Sequence, residues 1–241
     1  MTNTASTGPL GYTLEVHGSR KTAVLSMDDG KANALSDTMI EALTAALDRA
    51  EKEANAVVLA GRPDRFCAGF DLKVMMSGPE NAKALLTRGS ALLMKLYGLP
   101  LPLVIACTGH ALAGGALVLL TGDVRFGAAG AYRIGLNEVS IGLPVPVLAM
   151  ELARDRILAP DLTRATLMAT IYDPEDAARI GYLDAVMAPE DVLAKAKEEA
   201  ARLGELSRFA FNATKVRLRG KTITHINDTL ESDMRSILAP T

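Results

Sequence analysis

The 241 residues are 49% hydrophobic, which suits one large folded domain, or a domain with a small appendage, and excludes an extended disordered chain. Lys and Arg number 26 against 28 Asp and Glu, a net charge of −2, so no basic field points to nucleic acid. Met1 to Gly11 lacks a charged and then apolar leader, and no apolar run reads as a membrane anchor, so a cytoplasmic protein is expected.

Tyr12 to His17 alternates polar and apolar residues and reads as a strand, with Thr22 to Met27 as its partner across Gly18-Ser19. Asp28-Asp29-Gly30 ends the pair. Ser36 and Asp37 offer an N-cap to a helix carrying Met39, Ile40, Leu43, Leu47 and Ala50 at helical spacing. Ala56 to Ala60 is a buried strand, Gly61 to Asp64 a loop, and Arg65 to Lys73 reads as a further, unusually apolar loop. Asn81 to Tyr97 is a helix with Leu85, Leu86, Leu92, Leu93 and Leu96 inward. Leu99 to Leu120 is apolar enough to resemble a membrane span, but Pro100, Pro102, Gly109, His110, Gly114 and Gly115 interrupt it. It therefore reads as a strand, Leu101 to Cys107, then a loop and a helix start.

Short strands are expected at Asp123 to Phe126 and Ala131 to Ile134. Val147 to Ile157, Leu162 to Ala169 and Pro174 to Ile180 read as helices, and Leu183 to Met187 as the last strand. Pro189 to Leu203, Ser207 to Arg219 and Thr224 to Ile237 read as three further helices. Strand and helix alternate over the first 187 residues, which argues for an α/β core. The expected organisation is a core over residues 1–188, carrying the active site, and a helical C-terminal region over residues 189–241.

Several kinds of chemistry are missing. His17, His110 and His225 have no partners at metal-ligand spacing, and neither do Cys67 and Cys107. There is no phosphate-binding Gly-rich loop and no Gly-x-Ser-x-Gly. No metal and no cofactor is expected. Two backbone features and one carboxylate remain. Gly114 opens a helix after a strand, where free amides and the helix dipole favour an oxyanion. The small-residue loop Cys67 to Leu72 brings a second backbone close to a ligand. Two such donors suit a thioester oxygen whose negative charge grows during reaction. Glu138 stands in an otherwise apolar region, Tyr132 to Met150, where desolvation raises a carboxyl pKa into the range of a proton shuttle. Its plain alternative is a surface Glu on a turn. Asp71 and Asp123 read as caps, His110 as a satisfied structural residue, and Arg62, Arg65 and Lys73 as exposed charges.

Cys67-Ala68-Gly69-Phe70-Asp71-Leu72, Ala113-Gly114-Gly115-Ala116-Leu117 and Ile134-Gly135-Leu136-Asn137-Glu138 together resemble the crotonase, or enoyl-CoA hydratase/isomerase, superfamily. Asn33-Ala34-Leu35 and the segment from Pro174 to Val186, with its Gly181-Tyr182-Leu183-Asp184, are similar too, and the likeness runs over roughly residues 12 to 190. The resemblance implies a spiral of ββα turns, a helical C-terminal trimerisation region, and a homotrimer or a dimer of trimers. It implies an acyl-CoA thioester as substrate, coenzyme A being part of that substrate. By resemblance, the amides of Phe70 and Gly114 form the oxyanion hole. Ala32, Ala34, Ala68, Gly69, Asp71 and Leu72 line the CoA channel, and Leu117 and Asn137 fall among the substrate-binding positions. Hydratases of the family usually carry two glutamates; one matches Glu138, and Leu117 stands where the other would be. Moving a double bond needs one base, so the pattern most resembles the Δ3,Δ2-enoyl-CoA isomerases. Hydration of 2-enoyl-CoA, another reaction of the family, and a non-catalytic acyl-CoA- or RNA-binding relative are the alternatives. The C-terminal tail is shorter than is usual in the family.

Overall fold

The computed structural model describes residues 8–237; Met1 to Thr7 of the expected leaderless start, and the last four residues of the C-terminal region, lie outside them. The chain advances in strand–strand–helix turns. The first turn is β1 (Leu10–His17), β2 (Arg20–Met27) and α1 (Asp37–Glu53). The second is β3 (Ala56–Ala60), β4 (Asp64–Cys67), the short α2 (Leu72–Met75) and α3 (Pro79–Tyr97). The third is β5 (Leu103–Cys107), β6 (Gly109–Leu112) and α4 (Gly114–Thr121). In the fourth, β7 (Val124–Ala128) and β8 (Ile134–Gly135) lead through a single 3-10 turn, Val139–Ile141, into α5 (Val147–Arg156). The rest is α6 (Leu162–Ala165), α7 (Pro174–Ile180), β9 (Ala185–Met187), α8 (Pro189–Gly204) and α9 (Arg208–Ile237).

From the second turn onward, the first strand of each turn joins a large sheet and the second joins a small one. The large sheet has the order β1-β2-β3-β5-β7-β9, parallel except for the β1–β2 hairpin. The small sheet is β4-β6-β8, all parallel. Side chains alternate across the large sheet with a period of two. Val57, Leu59, Leu103 and Ile105 face the core that also holds α1, α3 and α4. Val58, Ala60, Val104 and Ala106 face the other way and pack with Val192, Ala196 and Ala200 of α8. Small residues on both sides let α8 lie close to the sheet. Both faces of β3 and β5 are thus covered, which is why these strands are unbroken apolar runs.

The expected alternation of strands and helices is present, with five differences in detail. The apolar loop expected at Arg65 to Lys73 contains the end of β4, where Phe66 and Cys67 are buried as strand residues, and the start of α2. Gly109 to Leu112 forms β6 where a loop was expected, and the strand expected from Ala131 shrinks to Ile134–Gly135. The helix expected to Ala169 stops at Ala165, and Ala169 adopts φ 48°. The two helices expected after Ser207 are one. Gly220 sits unbroken in the middle of α9, with nothing within 4 Å of where a side chain would start. A mid-helix glycine weakens a helix by about 1 kcal/mol relative to alanine. Buried Lys215 and Arg219 on one side and Ile226 and Met234 on the other hold α9 through it. Among the described residues no helix is long and apolar enough to cross a membrane.

Candidate active site

The three motifs of the sequence occupy equivalent places. Ala68 to Asp71 follows β4, Ala113-Gly114 follows β6, and Leu136 to Glu138 follows β8. The three strands run parallel, so all three motifs emerge at the carboxyl edge of the small sheet. Ligands of open α/β sheets bind at that edge.

The first motif is stitched to the loop before α1. Ala68 donates to the Ala32 carbonyl at 3.0 Å, Leu35 to the Gly69 carbonyl at 2.8 Å, and Asp71 to the Leu35 carbonyl at 3.3 Å. The Leu35–Phe70 bridge therefore uses the groups on either side of Phe70. In extended chain, neighbouring amides point in opposite directions, so the Phe70 amide faces away from Leu35. Asn33 fixes the loop from beneath. Fully buried at φ 52°, it donates from Nδ2 to the carbonyls of Met27 (3.0 Å), Arg65 (3.1 Å) and Phe66 (3.2 Å), and its Oδ1 accepts from the Asp29 amide at 3.0 Å. Asn33 was visible in the sequence only as part of a motif; nothing local marks it as a tie between β2 and β4.

The glycine pair of α4 lets that helix start directly against the first motif. A Cβ on Gly115 would stand 2.0 Å from the Cys67 carbonyl oxygen, and one on Gly114 3.3 Å from the Gly69 Cα and 3.1 Å from the Phe70 ring. Phe70 and Gly114 are thereby brought side by side. Ala113 caps the helix at φ 48°, ψ −122°, a strained conformation for a residue with a side chain, held by donation to the Gly135 carbonyl at 3.0 Å. Leu117 donates to Ala113, so the amides of Gly114, Gly115 and Ala116 are the first-turn donors without a helical partner. Leu117 itself is 3% exposed and packed in the core.

Glu138 is not on the surface, although it does sit on a turn. Its carbonyl accepts from Ile141 and Leu143, both at 3.0 Å, which pins the backbone. The side chain is 8% exposed, and Oε2 has no hydrogen-bond partner among the described residues. Burial raises its carboxyl pKa above the ordinary value, with only its own backbone hydrogen bond pulling the other way. Asn137 is half-buried beside it.

The far end of α4 is closed by cations. Arg156 donates to the carbonyls of Leu120 (3.3 Å) and Gly122 (2.5 Å), and Arg219 to that of Thr121 (3.2 Å) and to Tyr97 (2.7 Å). Asp123, expected as a cap, does accept from the Leu103 amide at 2.8 Å, but it is chiefly the anion of this cluster. It pairs with Lys215 at 2.6 Å and with Arg219 at 2.9 Å. Burial pushes the Lys215 ammonium down to about 8 and the Arg156 guanidinium down to about 10.

The remaining polar candidates have structural surroundings. Asp71 caps α2 through the Lys73 amide at 2.9 Å. The His110 Nδ1 accepts from the Arg133 amide at 3.0 Å, and burial followed by the charges of Arg65 and Arg133 lowers its pKa, so the ring is neutral. Burial pushes the thiols of Cys67 and Cys107 up to about 12. Among the described residues no three His, Cys, Asp or Glu side chains gather as a metal site. Ala32 and Ala34 are half-buried, while Ala68 and Leu72 are exposed at the mouth of the motif.

Repeated strand–strand–helix turns with a helical C-terminal region make this a crotonase-type α/β fold. The family model described as enoyl-CoA hydratase/isomerase matches residues 18–238, and the chain belongs to that family of acyl-CoA-processing enzymes. The chain is 28% identical over 222 residues to human mitochondrial enoyl-CoA delta isomerase 1, covering 90% of this chain and 74% of that protein. It is 32% identical over 212 residues to a probable enoyl-CoA hydratase of Rhodobacter capsulatus, covering 85% and 80%. The crystal structure of an enoyl-CoA hydratase from Mycobacterium ulcerans superposes with a TM-score of 0.87 at 40% identity, over 94% of this chain and 99% of that one.

Proposed function

We propose that this protein moves the double bond of a 3-enoyl-CoA to the 2-position, with Glu138 as the single shuttling base. The Glu138 carboxylate takes a proton from C2, and the electron pair delocalises into a thioester dienolate. The amides of Phe70 and Gly114 hold the developing oxyanion. The Glu138 carboxylic acid then returns the proton to C4, which leaves the double bond between C2 and C3. Ala32, Ala34 and the segment from Ala68 to Leu72 line the path of the CoA moiety. Leu117 and Asn137 border the acyl group. The same reading includes a homotrimer or a pair of trimers, for which exposed Leu167, Met168, Phe209 and Leu218 supply apolar surface.

The observation that carries the reading is the isolation of Glu138. Its pKa is raised by burial, and no charged neighbour contributes. A second carboxylate sharing the site would raise it by repulsion. The position where a hydratase of the family presents that second acid is Leu117, buried in apolar packing. One base suffices for a proton shuttle, whereas adding water benefits from two. The likeness to the human isomerase points the same way. The hydratase-named relatives support hydration of a 2-enoyl-CoA as the second reading.

The test is incubation of the purified protein with 3-hexenoyl-CoA, following the conjugated thioester. Glu138→Gln is expected to lose about 10²–10⁴-fold in rate. Full activity in that variant refutes the base assignment. Hydration of crotonyl-CoA far outrunning isomerisation reverses the order of the two readings, and tight CoA binding without turnover on any acyl-CoA favours a non-catalytic relative.

A further inference from the structure

Gly89 lies in the middle of α3, where glycine weakens a helix relative to alanine. Its surroundings give the reason. A Cβ at Gly89 would stand 2.1 Å from Phe70 Cε1 and 2.6 Å from Cζ. A Cβ at Gly114 would stand 3.1 Å from Cδ2 and 3.1 Å from Cε2 of the same ring. The two glycines therefore touch opposite edges of one aromatic ring, and that ring is a wedge between α3 and α4. The backbone of Phe70 is clamped on both sides by the hydrogen bonds of Gly69 and Asp71 to Leu35. A ring pushed from Gly89 meets Gly114 at its opposite edge, so the push is resisted there or passed to the Phe70 backbone.

We propose that Gly89 is a positioning residue of the oxyanion site. The gap it leaves in α3 seats the Phe70 ring, and the seated ring sets the Phe70 amide relative to the Gly114 amide. This rests on the reading of those two amides as the oxyanion donors. Gly89 itself touches no substrate. It acts through a side chain whose backbone does.

The test uses butyryl-CoA carrying ¹³C at the thioester carbon, which has no double bond to move, and infrared difference spectra of the bound carbonyl. Two well-placed donors polarise the carbonyl, so the native protein is expected to lower its stretching frequency relative to free thioester. Gly89→Ala is expected to lose most of that downshift and to lower kcat on 3-hexenoyl-CoA about 10²-fold, the scale of a 1 Å misplacement, with KM changed little. In a Phe70→Leu background the sign reverses. The shortened side chain leaves a gap, and adding Gly89→Ala is expected to fill it and to recover downshift and rate relative to Phe70→Leu alone. That comparison carries the test by itself if Gly89→Ala does not fold alone. A native downshift that persists unchanged in Gly89→Ala overturns the positioning role and leaves the amide assignment standing. A loss of the same sign in both backgrounds assigns Gly89 to helix packing and also overturns the positioning role. No downshift in the native protein overturns the amide assignment, and this inference with it.

Discussion

Arg219→Met tests how firmly the far end of α4 is held. Arg219 is 3% exposed, and its guanidinium donates to the carbonyls of Tyr97 and Thr121 and pairs with Asp123. It also lies 4.4 Å over the Tyr97 ring. Methionine keeps much of the packing and removes every donor. A hydrogen bond to a charged group contributes about 1.5–3 kcal/mol, and two carbonyls lose one each. Asp123 keeps Lys215 and the Leu103 amide, so it is not orphaned, and part of the loss is returned because one fewer charge is desolvated. The net expectation is about 3–5 kcal/mol, carried by the two buried carbonyls left without their charged donor. Arg235→Ala is the control. Arg235 is exposed and 3.5 Å from Glu231, so it should change stability by less than about 0.5 kcal/mol. Urea denaturation followed by circular dichroism measures both. A loss below about 1 kcal/mol for Arg219→Met refutes the reasoning, because it means that water replaces the guanidinium freely at the end of α4.

Three further outcomes follow from the site. Between the carboxyl pKa of the unfolded chain and the raised pKa of folded Glu138, only the folded state holds the proton, so stability falls as pH rises through that window. Glu138→Gln should abolish this slope and gain stability at neutral pH in urea titrations, and the acid limb of native kcat/KM should lie above the ordinary Glu value of about 4.3; a limb at or below it contradicts the buried base. Asn33→Ala removes bonds to three carbonyls and one amide and places a Cβ-bearing residue other than Asn at φ 52°; a loss of about 3 kcal/mol or more in the urea midpoint is expected, and a loss under about 1 kcal/mol contradicts it. Gly115→Ala sets a methyl against the Cys67 carbonyl, which belongs to backbone and cannot swing aside, so activity should fall along with stability, and native activity in that variant denies the close approach of α4 to β4.

What could be read from the sequence, and what could not, divides by length and by separation along the chain. β3 and β5 are legible because each is a run of five buried residues between turn signals. β4, β6 and β8 are four, four and two residues long, too short to show a period of two, and they include Asp64, Arg65 and Gly109. The small sheet therefore stays hidden in the sequence even though the motifs at its edge are plain. Those motifs are legible because they are written in glycine and in one acid among apolar neighbours, both local signals. Asn33 and the Asp123–Lys215–Arg219 cluster are not local. Lys215 meets Asp123 across 92 residues of sequence, and an exposed and a buried arginine look alike in a helix such as α9.

The two ends of α4, a helix of eight residues that are all buried, are treated differently, and the difference suits the proposed oxyanion role. Burying a helix leaves carbonyls at its last turn that must find donors. Here the Val118 carbonyl accepts from Thr121 Oγ1 at 2.7 Å, Leu119 from the Gly122 amide at 3.0 Å, and Leu120, Thr121 and Gly122 from the two arginines. Cations at a helix C-terminus also oppose its negative pole, so the free amides at Gly114 are left as the uncompensated end of the dipole. Arg219 comes from α9, the last element of the described chain. The terminal helix therefore bears directly on the element that presents one of the two proposed oxyanion donors. The other proposed donor, Phe70, is tied on α1's side through Asn33 and Leu35, and its ring lies against Gly89 of α3. On this geometry the two amides belong to separately supported units that meet along one seam, Gly69 and the Phe70 ring against Gly114 and the Cys67 carbonyl against Gly115, and the proposed oxyanion site depends on that seam.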